Sequence, residues 1–453
     1  MTSDPVAKPP ACLPASPPLD PHSSPPLSFV QADADPAMDD LASDEAYLSR
    51  QPILNLRQNL IGYELTLRDD DPSAVANTTS SICAAYSELG VRSALGRHKA
   101  FLRIDPEFLH DDDAIDMLPP DGVVIQFTPE RAPDEKRLER CRALRERRYS
   151  LALADYRGID EASSPLLPLV DFVRIDTRGK DARQLAALID PLARWPLKLL
   201  AQGVDTPEDF ARCRDGRFRF FQGNFFARPQ IVGGRRLTAS QATLLRLIDL
   251  VAGDADSARI EESFKHDPAL AVNLLAIVNS VAYGLPRRIG SLNQAIQVLG
   301  RRQLKRWLYL LLMTPAGKAP NAERTPLLQM AALRARMLEI LLARLRPGDL
   351  ELASQAFITG LMSMMPAALG LPMDEILALL VLEREIVVAL QSRQGLLGTM
   401  LALVESYDAE DVGGCDRILA GFADAGLDRT LLNACLIDSL RWINASEEAK
   451  PYD

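Results

Sequence analysis

The side chains best able to do chemistry in this chain stand at the ends of short apolar runs. Tyr63-Glu64-Leu65-Thr66-Leu67-Arg68 carries a carboxylate and a guanidinium four residues apart, and Arg103 and Asp105 follow Ala100-Phe101-Leu102. Gln126 sits near the end of Val123–Phe127, and Ala154 and Asp155 close Ser150–Asp155. Arg174 and Asp176 flank Ile175, Gln202 follows Leu197–Ala201, and Gln222 lies in Phe221-Gln222-Gly223-Asn224. Carboxylates gathered at one place can hold a hard cation, and guanidiniums can hold a phosphate or a carboxylate by their forked donors. Imidazole chemistry is constrained from the start, because there are four histidines: His22, His98, His110 and His266. The six cysteines are scattered, with no C-x-x-C pair, and read as free thiols in a reducing compartment.

Elements must bring these residues together. From Ala46 to about Gly234, short β-like runs alternate with helical ones. Ala46–Leu54 and Leu60–Leu67, split by the polar turn 55–59, read as a hairpin. Further strands are expected at Ala100–Ile104, Val123–Phe127, Ser150–Ala154, Phe172–Ile175 and Leu197–Ala201. Weaker ones lie at Phe218–Phe221 and around Ile231. Helices such as Ser80–Leu89, Pro133–Arg147, Asp181–Arg194 and Pro207–Arg214 fall between them. Such alternation implies a parallel sheet, and the count fits an α/β (β/α)8 TIM-like barrel, with a doubly wound open sheet as the second choice. In such a barrel chemistry sits at the carboxyl ends of the strands, where the polar residues above fall.

After about Leu237 the strand signal ends, and apolar residues recur at helical spacing through to Ile443, so this half is all-α. At 453 residues the chain should hold two to three domains. The division expected is a Pro-rich disordered tail at 1–45, the barrel at 46–237 and the helical domain at 238–453. No basic start followed by an apolar run marks a secretory signal, and no run approaches the ~20 apolar residues needed to cross a bilayer, so a cytoplasmic protein without membrane contact is expected. The net charge of −10 argues against general binding to nucleic acid.

Taken together, Arg50-Gln51-Pro52-Ile53, Gly62-Tyr63-Glu64-Leu65, Leu200–Thr206 and Gln222–Pro229 resemble the EAL domain, the cyclic di-GMP phosphodiesterase fold. The resemblance covers roughly Ala46 to Leu237. It implies that Glu64, Asp155, Asp176 and Gln222 keep family positions. It also implies departures: Arg103 stands for a metal-binding asparagine, Gln126 and Gln202 for glutamates, Ala154 for an aspartate and Arg174 for a lysine. By that comparison the mouth is more positive by about four units, which does not suit two divalent cations. The expectation is therefore a barrel that is not an enzyme, with no metal and no cofactor, and with Arg103 paired to Glu64 in the metals' place. A degenerate ligand-binding site would comprise Glu64, Arg68, Arg103, Asp155, Asp176 and Gln222.

In the helical half His266-Asp267 invites a metal phosphohydrolase reading, but no other histidine follows His110. Asp267 more simply caps a helix begun by Pro268. Asp267–Leu270, Val278-Asn279-Ser280, Ile289–Leu292, Ala356–Ser363 and Val404–Tyr407 resemble the HDOD domain, a helical relative of those hydrolases without their metal residues. The order matches the EAL–HDOD pairing of bacterial signalling proteins. A basic cluster of Arg287, Arg288, Arg301, Arg302, Lys305 and Arg306 lies near Trp307 and Tyr309 and reads as a solvated helix face. The function expected is signal transduction without catalysis, through protein partners. The alternatives are a cyclic di-GMP receptor and a weak phosphodiesterase.

Overall fold

Asn55 decides how the barrel begins. Its side-chain oxygen accepts from the Arg57 and Asn59 amides at 2.9 and 3.0 Å, and Gln58 takes a left-handed φ of 61°. The chain therefore reverses within four residues, and the strands on either side, β1 (Tyr47–Asn55) and β2 (Leu60–Arg68), pair antiparallel. So short a connection permits no parallel pairing.

The computed structural model describes residues 46–68, 86, 90–105, 108–129, 131–228, 238–253, 255–265, 267–279, 289–313 and 325–448. The expected tail at 1–45 thus lies wholly outside the described residues, as does most of the helix expected at Ser80–Leu89. Six more strands follow: β3 (Lys99–Arg103), β4 (Val123–Phe127), β5 (Ser150–Leu153), β6 (Phe172–Asp176), β7 (Lys198–Gln202) and β8 (Phe220–Gln222). The eight close a barrel in sequence order. Strands β2 to β8 run parallel, whereas β1 lies antiparallel between β2 and β8. The expected hairpin thus opens an otherwise parallel sheet. The first hairpin arm supplies the closing strand, and the weak run around Ile231 lies outside the described residues.

Helices between the strands start on local signals. Asp134 accepts from the Arg137 amide to cap Glu135–Glu146, and Thr206 with Asp209 forms a capping box for Pro207–Arg214. Because side chains alternate along a strand, every second residue faces the barrel interior. Ile53, Phe101, Val124, Ala152, Phe172 and Leu200 pack there as an apolar floor, joined by Phe220. Two residues further toward the mouth along each strand stand Gln51, Arg103, Gln126, Ala154, Arg174, Gln202 and Gln222. An apolar plug thus carries a polar layer above it.

Among the described residues the second half is built of helices, the first opening at Ala239 and the last ending at Glu448. Asp267 caps Pro268–Val278, with its carboxylate accepting from the Leu270 amide at 3.2 Å, as its sequence context indicates. Leu292–Leu312 is broken at Gly300 (φ 71°, ψ 159°), which matches the two separate apolar runs in that stretch. Pro326–Leu345 and Leu350–Met362 pack so closely that a Cβ at Gly360 would lie 2.7 Å from the Ala335 Cα.

The two halves share one apolar core. Arg429–Glu448 packs on the barrel helix Val91–Leu95. Asn433 grips the start of β1 twice: its oxygen accepts from the Leu48 amide and its amide donates to the Ala46 carbonyl, both at 2.9 Å. The Tyr407 hydroxyl donates to the Leu48 carbonyl at 2.6 Å.

Candidate functional site

The polar layer above the floor is organised by Glu64, which is 6 % exposed. Its carboxylate forms an ion pair with Arg174, which reaches it from β6 and is itself 4 % exposed. Gln126 Nε2 donates to Glu64 Oε1 at 3.2 Å and Gln222 Nε2 donates to Glu64 Oε2 at 2.5 Å. The Arg174 guanidinium also donates to Gln202 Oε1 at 3.0 Å and to Gln126 Oε1 at 3.3 Å. Gln222 Nε2 continues to Gln51 Oε1 at 2.6 Å. Burial pushes the Glu64 carboxyl up, but the charge and hydrogen bond of Arg174, with help from Gln222 and Arg103, outweigh it and hold it below its ordinary value.

Arg103 was expected to pair with Glu64, and the structure corrects this. In the β2–β3 register Glu64 lies beside Phe101, so Arg103 stands one side-chain level higher. Its side chain is 44 % exposed and pairs at the rim with Asp155, and Thr128 Oγ1 accepts from it at 3.1 Å. Asp155 holds a left-handed φ of 51° just past β5. The pairing expected of Arg103 belongs instead to Arg174, whose guanidinium reaches Glu64 from β6 across the barrel interior.

The remaining site residues disperse. Arg68, with a side chain 49 % exposed, pairs at 2.7 Å with Glu410, a residue of the helical half. Asp176 turns to Arg178, which binds it through Nε and Nη2 at 2.9 and 2.7 Å, and this bond is the main cause holding its carboxyl low. Thus Glu64 and Gln222 share the buried network, Arg103 and Asp155 share the rim, and Arg68 and Asp176 have partners of their own. Sequence reasoning missed Gln51, Thr128 and Glu410. Gln51 could have been found from the hairpin, since register places it opposite Glu64. The turn after β8 needs Gly223, where φ is +148° and a Cβ would lie 2.0 Å from the Val204 carbonyl oxygen.

Two divalent cations do not fit this donor set. Among the described residues no group of three or more His, Cys, Asp or Glu is placed to hold a metal ion. Three acidic groups in and around the mouth, Glu64, Asp155 and Asp176, are each bound to a guanidinium.

Elsewhere, much of the basic cluster is tied up internally. The Arg301 guanidinium bonds to the Val251 and Ala255 carbonyls, Lys305 pairs with Glu383 at 3.1 Å and Arg306 with Glu339 at 2.5 Å. Trp307 and Tyr309 are buried, and His266, Arg287 and Arg288 lie outside the described residues. Cys141, Cys213, Cys415 and Cys435 are free and buried, and burial pushes the Cys141 thiol up to about 11 and those of Cys415 and Cys435 to about 12. Among the described residues no single helix is long and apolar enough to cross a membrane, though the bent pair Arg384–Ser392 and Gly395–Asp408 passes by length and composition.

Residues 238–371 match the HDOD domain. The cyclic di-GMP phosphodiesterase CdgJ of Vibrio cholerae is 27 % identical over 406 residues, 87 % of this chain and 92 % of that protein. The uncharacterized protein YuxH of Bacillus subtilis is 24 % identical, over 89 % of this chain and 99 % of its own. Among solved structures, an EAL domain protein from Listeria monocytogenes is 18 % identical, covers 41 % of this chain and 88 % of that one, and has a TM-score of 0.34. The expectation that the barrel is not an enzyme is overturned by the first of these, since a relative matched over nearly its whole length is named a phosphodiesterase. The eight-stranded barrel and the HDOD match thus follow one another in the order of the EAL–HDOD pairing that the sequence resembles.

Proposed function

We propose that this chain is a bacterial, cytoplasmic signalling protein that takes cyclic di-GMP at the barrel mouth and passes the state of that site to protein partners through its helical half. Its working units would be the barrel at 46–237 and the helical domain at 238–453, after a tail at 1–45. The observation carrying the proposal is the contrast in exposure among the mouth's arginines. Arg174 is buried against Glu64, whereas Arg68 and Arg103 present half-exposed guanidiniums at the rim. Cyclic di-GMP carries two phosphodiester anions, and forked N–H donors suit each of them. The name of the Vibrio cholerae relative supplies the nucleotide. The grip of Asn433 and Tyr407 on β1 supports a route from the barrel to the helical half.

Calorimetric titration of the full chain with cyclic di-GMP, with and without Mg2+, tests this, with chromatography of the same samples for linear product. Binding should weaken as salt rises, and Arg103→Ala should weaken it by about tenfold, the equivalent of about 1.4 kcal/mol. Linear product formed only with metal would add the relative's activity to this chain. Binding unaffected by Arg103→Ala would remove the rim from the proposal.

A further inference from the structure

Glu410 is in a conformation its residue type disfavours. It ends the helix Gly395–Asp408: the Glu410 amide donates to the Tyr407 carbonyl at 3.1 Å and the Asp411 amide to the Ser406 carbonyl at 2.9 Å. That pair of bonds is the Schellman arrangement, whose left-handed position is usually glycine. Here φ is 59° and the residue is glutamate. An unfavourable backbone state persists where the surroundings impose it, and such residues gather at functional contacts.

The surroundings in this case are the barrel mouth. Glu410 Oε1 accepts from the Ser49 hydroxyl and, at 3.0 Å, from Gln51 Nε2, while Oε2 accepts from Arg68 Nη2 at 2.7 Å. In the β1–β2 register Ser49 opposes Thr66, Gln51 opposes Glu64 and Tyr47 opposes Arg68, so these positions share the inward face. Through Gln51 and Gln222 the carboxylate joins the hydrogen-bond network of Glu64. Its neighbour Asp408 holds Arg334 of the helical half at 2.9 Å and faces Arg50 of β1 at 3.9 Å. A carboxylate carried by the helical domain therefore occupies a donor cluster that a phosphate would use.

We infer that Glu410 is a latch that competes with the anionic ligand for Arg68, so that ligand binding at the mouth and docking of the 409–411 turn onto β1 oppose one another. This rests on the nucleotide reading above. A phosphate arriving at Arg68 displaces Glu410, the turn leaves Ser49 and Gln51, and the helical half receives the signal at the end of Gly395–Asp408.

The test uses the full chain with cyclic di-GMP. Glu410→Gly suits the left-handed turn and should fold well, and Glu410→Gln keeps the shape while removing the charge. Both should bind cyclic di-GMP about tenfold more tightly than wild type. Glu410→Gly combined with Arg68→Ala should bind no more tightly than Arg68→Ala alone, because the two sites act through one contact. Hydrogen exchange over residues 47–52 should quicken when nucleotide is added to wild type. If wild type and both variants bind equally, or the variants bind more weakly, the latch is wrong while the nucleotide reading stands. If neither wild type nor the variants bind, the nucleotide reading falls and the latch falls with it.

Discussion

The mouth holds two arginine–carboxylate pairs of the same chemistry in opposite surroundings. Arg174 and Glu64 meet inside the barrel with side chains 5 % and 7 % exposed, and three glutamines complete their hydrogen bonds. Arg103 and Asp155 meet one level higher with side chains 44 % and 37 % exposed. Desolvation makes the inner pair an all-or-nothing unit, since either charge alone would be stranded over an apolar floor. Water can solvate either member of the outer pair, so that pair is free to exchange partners. One level of side chain separates a fixture from a contact open to a ligand.

The sharpest way to break this comparison is to strand the inner charge. Arg174→Met should lower unfolding free energy by about 3–5 kcal/mol, measured by urea denaturation, because Glu64 would stay buried without its counter-charge. Adding Glu64→Leu should recover most of that loss, since an apolar pair of similar volume is often as stable as a buried ion pair. A loss below about 1 kcal/mol in the single variant would show that water reaches Glu64 and that the layer is not sealed.

A smaller effect should appear with pH. The folded chain holds the Glu64 carboxyl below its ordinary value of 4.5. A depressed carboxyl contributes stability that is fully present above the unfolded value and is lost as pH falls through the folded one. Urea midpoints taken from pH 6 to pH 3 should therefore fall more steeply in wild type than in Glu64→Gln. Identical slopes would mean that the pair does not bias protonation of Glu64, and the inner and outer pairs would then differ only in depth.

The sequence showed the strands and their polar ends, because a period of two and a change from apolar to polar are local properties. It also showed the Asp267 cap, since Pro268 stands next to it. What it hid were contacts set by closure. That Arg174 and not Arg103 meets Glu64 depends on which strand ends share a level across the barrel, and register fixes this only once β1 has closed the sheet. Glu410 is 342 positions from Arg68, and no local pattern links them. The helix Ser257–Lys265 escaped because it is a short helix whose buried side chains are few, with Ile260 and Phe264 as its large apolar ones. The antiparallel β1 was visible as a hairpin arm, but its place inside the barrel follows from pairing with β8 at Ile53–Asn55.

The mildest test concerns the rim. Arg103→Ala should change unfolding free energy by no more than about 1 kcal/mol, because an exposed ion pair gains little over its solvated partners. Asp155 would keep its bond to Thr128 Oγ1 at 3.1 Å and its access to water. The same substitution should weaken cyclic di-GMP binding, so stability and affinity should separate at Arg103 in a way they cannot at Arg174. A stability loss as large as that of Arg174→Met would place Arg103 in the sealed layer, and the division between fixture and open contact would have to be redrawn above the rim.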